Sequence, residues 1–338
     1  MFSFALSVNA QARECIAPII RYELSGGAGH YNYAPSFIQD DYGIIYGFLC
    51  QNRDPFKIVD YIYLYKGIPT PNGIKWQPGT EVLAPSDAPW DNCHVCDPDV
   101  REFHCVWHGE TYNYIMTYLG VDQWDCNHNQ IGLAVAKAIE GPWIKIPKPL
   151  IPYEDRTKWG VGQSTTIVKD STTVQIFYHS TTDNGPYCMR EVKLDDLDNI
   201  KLGPELPVPN LRSNSFPAFS KRYMYVVEEK RDYTDATIPT WVGNICSLSF
   251  APISANILSK NNIWTEIGRV DPSLSHFPRN HNPGILTDTR GYIPDDNQLI
   301  TFFTVSVLGP DWLWSYDLYS ASYDLKKFFD NNNKKVNK

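Results

Sequence analysis

The residues best suited to chemistry in this chain are one acid, a pair of acids and a histidine. Asp97 stands in Cys96-Asp97-Pro98-Asp99-Val100, directly before a proline. Glu228 and Glu229 close the run Tyr223–Val227, and His281 opens His281-Asn282-Pro283-Gly284. Carboxyl groups in different surroundings can divide into a proton donor and a proton acceptor, and a histidine titrates near neutrality. The set can therefore carry general acid–base work. Each member also has a structural reading: Asp97 as a cap on backbone donors, the glutamates as a solvated strand end, His281 as hydrogen-bonded scaffold. Strand alternation points one of Glu228 and Glu229 inward and the other outward, and both assignments stay open.

Other chemistries find less support. Cys93-His94-Val95-Cys96, with His104, Cys105 and His108 nearby, has the density of a zinc site, but it lacks a second matched pair. These cysteines read as a disulfide or as packed thiols. Gly26-Gly27-Ala28-Gly29 is followed by no Gly-Lys-Ser/Thr, so it is no phosphate cradle. No Gly-x-Ser-x-Gly elbow occurs to support a serine nucleophile. No cofactor is called for. His281 could hold the water of a channel cation, which is left open.

The elements that must position these groups are announced by a recurring step. Tyr33-Ala34-Pro35, Asp97-Pro98, Gln163-Ser164, Phe216-Pro217 and Asn282-Pro283 each open a strand-turn-strand pattern. The markers Pro35, Pro98, Ser164, Pro217 and Pro283 lie 63, 66, 53 and 66 residues apart, which divides the chain into five units of similar length. A proline lacks the ladder donor and biases its predecessor toward extended backbone, so the step is expected at the first residue of a strand. No segment sustains a helical period beyond a couple of turns. With 10 Trp, 21 Tyr, 15 Phe and 25 Pro, the composition is that of many short strands. The reading is all-β, a single five-bladed β-propeller over residues 13–327, with the marker steps converging on one mouth of the channel. Ile16–Leu24 reads as a strand able to close the ring on the last unit.

A net charge of −8 with scattered Lys and Arg speaks against a nucleic-acid partner. No run reaches the length of a membrane span, and no pattern specifies an oligomeric state. Residues 1–12 end in Ala10-Gln11-Ala12 after a short apolar run, which reads as a signal-peptide remnant and a secreted or periplasmic protein. Residues 328–338 read as a disordered Asn/Lys-rich tail.

At this point the chain resembles the five-bladed propeller glycosidases, glycoside hydrolase family 43 and its relatives in families 32, 62, 117 and 130. The resemblance rests on Asp97-Pro98-Asp99-Val100, on Ala136 followed by Glu140-Gly141-Pro142-Trp143, on Gly162-Gln163-Ser164 and on the five-unit period. It covers roughly residues 25–325. It implies hydrolysis of a poly- or oligosaccharide, with a first-blade carboxylate as base or nucleophile, a second-blade Asp that orients and tunes, and a third-blade Glu as acid. Only the second carries over, as Asp97. The first-blade position reads Asn32-Tyr33-Ala34 and the third is Gln163, so a second acid is sought in Glu228, Glu229 or His281. His30, Asn32, Gln163 and Asn282 are expected to bind sugar hydroxyls, since amides both donate and accept. The alternative is a carbohydrate-binding propeller without catalysis.

Overall fold

The computed structural model describes residues 18–20, 27–71, 73–212 and 214–336, and the signal-peptide expectation for residues 1–12 lies outside them. The strands form five sheets arranged as the blades of a β-propeller, antiparallel apart from a two-residue parallel pairing of Ile38–Gln39 with Thr287–Asp288. Their innermost strands are Asn32–Gln39, His94–Trp107, Val161–Val168, Ser215–Phe219 and Arg279–Ile285. Each pairs with the next long strand along the chain, so every blade is a meander running outward from the axis. The fifth blade takes its outer strand from the start of the chain. Pro18–Ile20, within the segment expected to close the ring, pairs antiparallel with Asp317–Asp324.

Apolar residues of neighbouring blades meet in a separate core at each junction. Phe48 and Ile62 pack with Val100 and Met116 between the first and second blades. Ile115 and Leu133 meet Val174 and Ile176 between the second and third. Further clusters join Phe177 with Phe219, Val227 with Phe303, and Phe37 with Phe302. Burying one such side chain contributes about 1.5–3 kcal/mol, and five of these seams hold the ring closed. A polar knot ties three blades at the axis. Asp99 accepts from Ser36 Oγ (3.0 Å) and the Thr166 N–H (2.6 Å) and pairs with Arg101 Nη2 (2.9 Å). Arg101 in turn donates to the carbonyls of Thr166 and Val100.

The marker steps are not strand beginnings, which corrects the sequence expectation. They lie inside the inner strands, at a bulge. Ala34, Asp97, Gln163 and Asn282 have φ of 49°, 45°, 52° and 44°, in the left-handed region. Strand pairing slips at the same place in each blade, between Tyr33 and Ser36, Cys96 and Asp99, Gly162 and Thr165, and His281 and Gly284. A non-glycine residue held there costs about 1–3 kcal/mol, and such strain is kept where surrounding structure over-determines it. Here the ladders on both sides of the bulge hold it, overriding the extended bias of a residue before proline. The fourth blade differs: Ser215–Phe219 pairs without interruption, and the left-handed residue is Asn214.

The chain end also departs from expectation. Leu325–Val336 is a helix instead of a disordered tail from 328. Phe328 is buried in the seam between the fourth and fifth blades, and Phe329 stacks on Tyr223 at 4.7 Å. The Lys and Asn residues that suggested a solvated end follow this apolar anchor. Among the described residues no helix is long and apolar enough to cross a membrane.

Candidate functional site

A bulge with one left-handed residue rotates that side chain out of the strand's alternation and toward the axis. Four blades share the device, at Ala34, Asp97, Gln163 and Asn282. Ala34, Asp97, Ser164, Pro217 and Pro283, one from each blade, line its narrow throat. Beside the throat opens a cleft of about 850 Å³, whose wall includes Gln163, Asn282 and Glu229.

Asp97 is partly buried, and desolvation pushes its carboxyl up to about 7, with the negative charge of Asp60 adding to the effect. Asp60 is itself buried, accepts from the Tyr31 hydroxyl at 2.8 Å and pairs with His94 Nδ1 at 3.0 Å. The Asp97 N–H donates to Cys50 Sγ at 3.0 Å, and Cys50 is bonded to Cys96. This disulfide settles the reading of the cysteine cluster. Cys96 is oxidised, while Cys93 and Cys105 are buried thiols, the latter pushed up to about 12 by desolvation. Cys50, Cys96 and Asp97 are the one group among the described residues with the crowding of a metal site, but disulfide sulfurs are not thiolate ligands.

The strand Tyr223–Lys230 decides between the two glutamates. Glu229 faces the cleft, where its carboxylate accepts from the Asn282 N–H (3.0 Å) and Asn214 Nδ2 (3.3 Å). Burial pushes Glu229 above the usual carboxylate range, opposed by those donors and by the charge of Arg279. Glu228 points the other way, to Ser215 Oγ at 3.2 Å and Lys230 Nζ at 3.6 Å.

His281 is wholly buried behind the mouth. Its Nδ1 meets Asn282 Oδ1 at 2.6 Å, and its ring lies 4.5 Å from that of Tyr316. Desolvation, then the charge of Arg279, hold it well below its ordinary pKa. A neutral histidine in this position orients Asn282, and it is poorly placed to donate a proton at the mouth. Its Nε2 is buried without a hydrogen-bond partner, and Arg279 supplies positive charge nearby. His30 and Asn32 are also buried, His30 against the Asn52 carbonyl at 3.2 Å, and neither lines the cleft.

The cleft thus gathers Gln163, Asn282 and Glu229; Asp97, at the equivalent bulge of the second blade, lines the throat instead. Glu228, His281, His30 and Asn32 stand off its wall. Sequence reasoning missed His179, Arg279 and the three tryptophans Trp159, Trp241 and Trp312. His179 packs edge-on to Trp159 at 4.5 Å, and burial lowers it to about 4. Trp241 and Trp312 come from loops, where no period marks them; only the overall richness in Trp hinted at stacking faces.

No protein-family model matches the chain, and no curated protein does. Solved structures do. The chain is similar to a family 117 glycoside hydrolase of the marine bacterium Zobellia galactanivorans, with a TM-score of 0.57 and 14% identity over 92% of this chain and 89% of the other. It is similar to an α-L-arabinofuranosidase from Podospora anserina, solved in complex with cellotriose, with a TM-score of 0.57 and 12% identity over 91% and 95%. A GH43_1 enzyme from Xanthomonas citri gives a TM-score of 0.53 and 16% identity over 91% and 90%. The chain has the five-bladed propeller fold of these enzymes, as its marker steps predicted.

Proposed function

We propose that this protein hydrolyses a glycosidic bond in a poly- or oligosaccharide, with Asp97 and Glu229 as its working carboxyl groups. The observation that carries the reading is Asp97 itself: an acid at a strained bulge shared by four blades, its carboxyl raised to about 7, in a throat whose neighbouring bulge residues Gln163 and Asn282 open on a cleft with a second buried acid. A carboxyl with that pKa is protonated often enough near neutrality to donate to a leaving oxygen. Glu229, whose carboxylate accepts from the Asn282 N–H and Asn214 Nδ2 against the upward push of burial, accepts the proton of the attacking water. The fold's likeness to glycoside hydrolases supports the bond type. The tryptophans and the amides of Gln163 and Asn282 support a sugar ligand, since rings stack on aromatic faces and hydroxyls need partners that donate and accept. The Cys50–Cys96 disulfide supports a secreted or periplasmic location.

A second reading, a propeller that binds glycans without cutting them, is favoured by one observation. Ala34 and Gln163 occupy the bulge positions where the resemblance implies a base and an acid. Incubation with a panel of oligosaccharides separates the two. Release of new reducing ends supports hydrolysis; saturable binding with no product after long incubation supports the second reading and overturns the first.

A further inference from the structure

Arg279 is the cleft residue for which the hydrolytic scheme has no task. It opens the inner strand of the fifth blade and is 5% exposed. Trp241, Trp312 and Tyr316 surround its guanidinium, with ring centroids 5.4, 5.2 and 5.2 Å from Cζ. Its Nε has no hydrogen-bond partner, and among the described residues no ion pair joins it to a carboxylate. Glu229 feels its charge, but from beyond ion-pair distance. A buried cation without a counter-ion is costly to keep, and a guanidinium fork is shaped to hold an oxyanion through two parallel bonds.

The surroundings extend the pattern. Arg212, Lys230 and Arg231 line the same cleft, against the acids Asp125 and Glu229, in a chain whose net charge is −8. Lys230 is shared with Glu228 at 3.6 Å, while Arg231 donates to the carbonyls of Asp235, Ile238 and Pro239, which fixes it in place, and among the described residues it forms no ion pair, though the Asp235 carboxylate feels its charge. A second cavity of about 400 Å³ meets the cleft at Arg279, Trp241 and Trp312. The guanidinium, in touch with the Tyr316 hydroxyl but with Nε unpartnered and no ion pair among the described residues, therefore sits where two cavities join, between two indole faces.

We propose that the cleft takes an acidic glycan, a saccharide bearing a carboxylate or a sulfate ester, whose anionic group docks on Arg279 while an adjoining sugar ring lies on Trp241 or Trp312. This rests on the reading of the cleft as a glycan site, but not on catalysis. The site selects by charge: a neutral sugar leaves Arg279 desolvated and unpaired, and an acidic one supplies the missing counter-ion.

The test is titration of the purified protein with size-matched neutral, uronate-containing and sulfated oligosaccharides, followed by tryptophan fluorescence and calorimetry. At least one acidic series binds about ten-fold tighter than the neutral one or better, and its affinity falls with added salt. The stronger acidic series identifies carboxylate or sulfate as the preferred group. Arg279→Gln removes the preference. Arg212→Gln, at an exposed position, reduces it without threatening the fold. Neutral saccharides binding as tightly as acidic ones overturn the inference and leave the glycan site standing, as does a charge preference that survives in Arg279→Gln. Binding of no saccharide of any charge overturns both.

Discussion

The backbone N–H of Asn282 donates to Glu229 Oε2 at 3.0 Å, so the left-handed residue of the fifth blade fixes the acid of the fourth. The carboxylate is set by its neighbour's backbone, and its orientation depends on the bulge. Glu229→Gln is expected to lower turnover by about 100-fold or more, the usual worth of an acid–base group. Glu228→Gln, which faces Ser215, should stay within a few-fold of wild type. Gly243 gives the same relationship a second handle: an added Cβ there collides with the Glu229 side chain. Gly243→Ala should therefore reduce turnover while circular dichroism stays native.

Asp97 makes stability fall as pH rises. Its carboxyl is raised from 3.8 to about 7 in the folded protein, so between those values the folded chain holds a proton that the unfolded chain has released. The contribution is complete below about pH 4 and is lost as pH climbs through about 7. Urea denaturation of wild type and Asp97→Asn at about pH 5 and pH 8 checks this. The variant should gain relative to wild type at the higher pH; a difference independent of pH contradicts the assignment.

The axial knot of Asp99 and Arg101 should be sensitive to removal of one partner. Asp99→Ala leaves the Arg101 guanidinium buried without its counter-charge, and a loss of about 3–5 kcal/mol is expected in equilibrium unfolding. Replacing both residues together with apolar side chains should cost less than the single change.

The disulfide couples stability to the site. Cys50 and Cys96 are 46 residues apart in sequence, and Cys50 Sγ accepts the Asp97 N–H. Cys50→Ala should lower stability by about 2–4 kcal/mol. Because the acceptor at Asp97 changes too, reductant should depress turnover of wild type at temperatures where the protein remains folded, and leave Cys50→Ala unaffected.

The ring was legible in the chain because one device recurs. The pairs Ala34-Pro35, Asp97-Pro98, Gln163-Ser164 and Asn282-Pro283 are four copies of one bulge, so their spacing measures the blade. Their conformation was less visible, since a residue before proline favours extended backbone in isolation and only the flanking ladders impose the left-handed state. The choice of Glu229 over Glu228 was hidden for a different reason: a period of two has two phases, and either fits the same sequence. Arg279, Trp241 and Trp312 lie on a strand start and two loops, and ring closure alone brings them together. In the final helix, Phe328 and Phe329 carry the packing, but two aromatics beside a Lys/Asn run give too short a pattern to read as an amphipathic face.

Asp97 is proposed as the acid of this site. The direct measurement is turnover and binding of Asp97→Asn on an oligosaccharide that the wild type cleaves. A fall in kcat of about 100-fold or more, with affinity preserved, is expected. Turnover equal to wild type would contradict it.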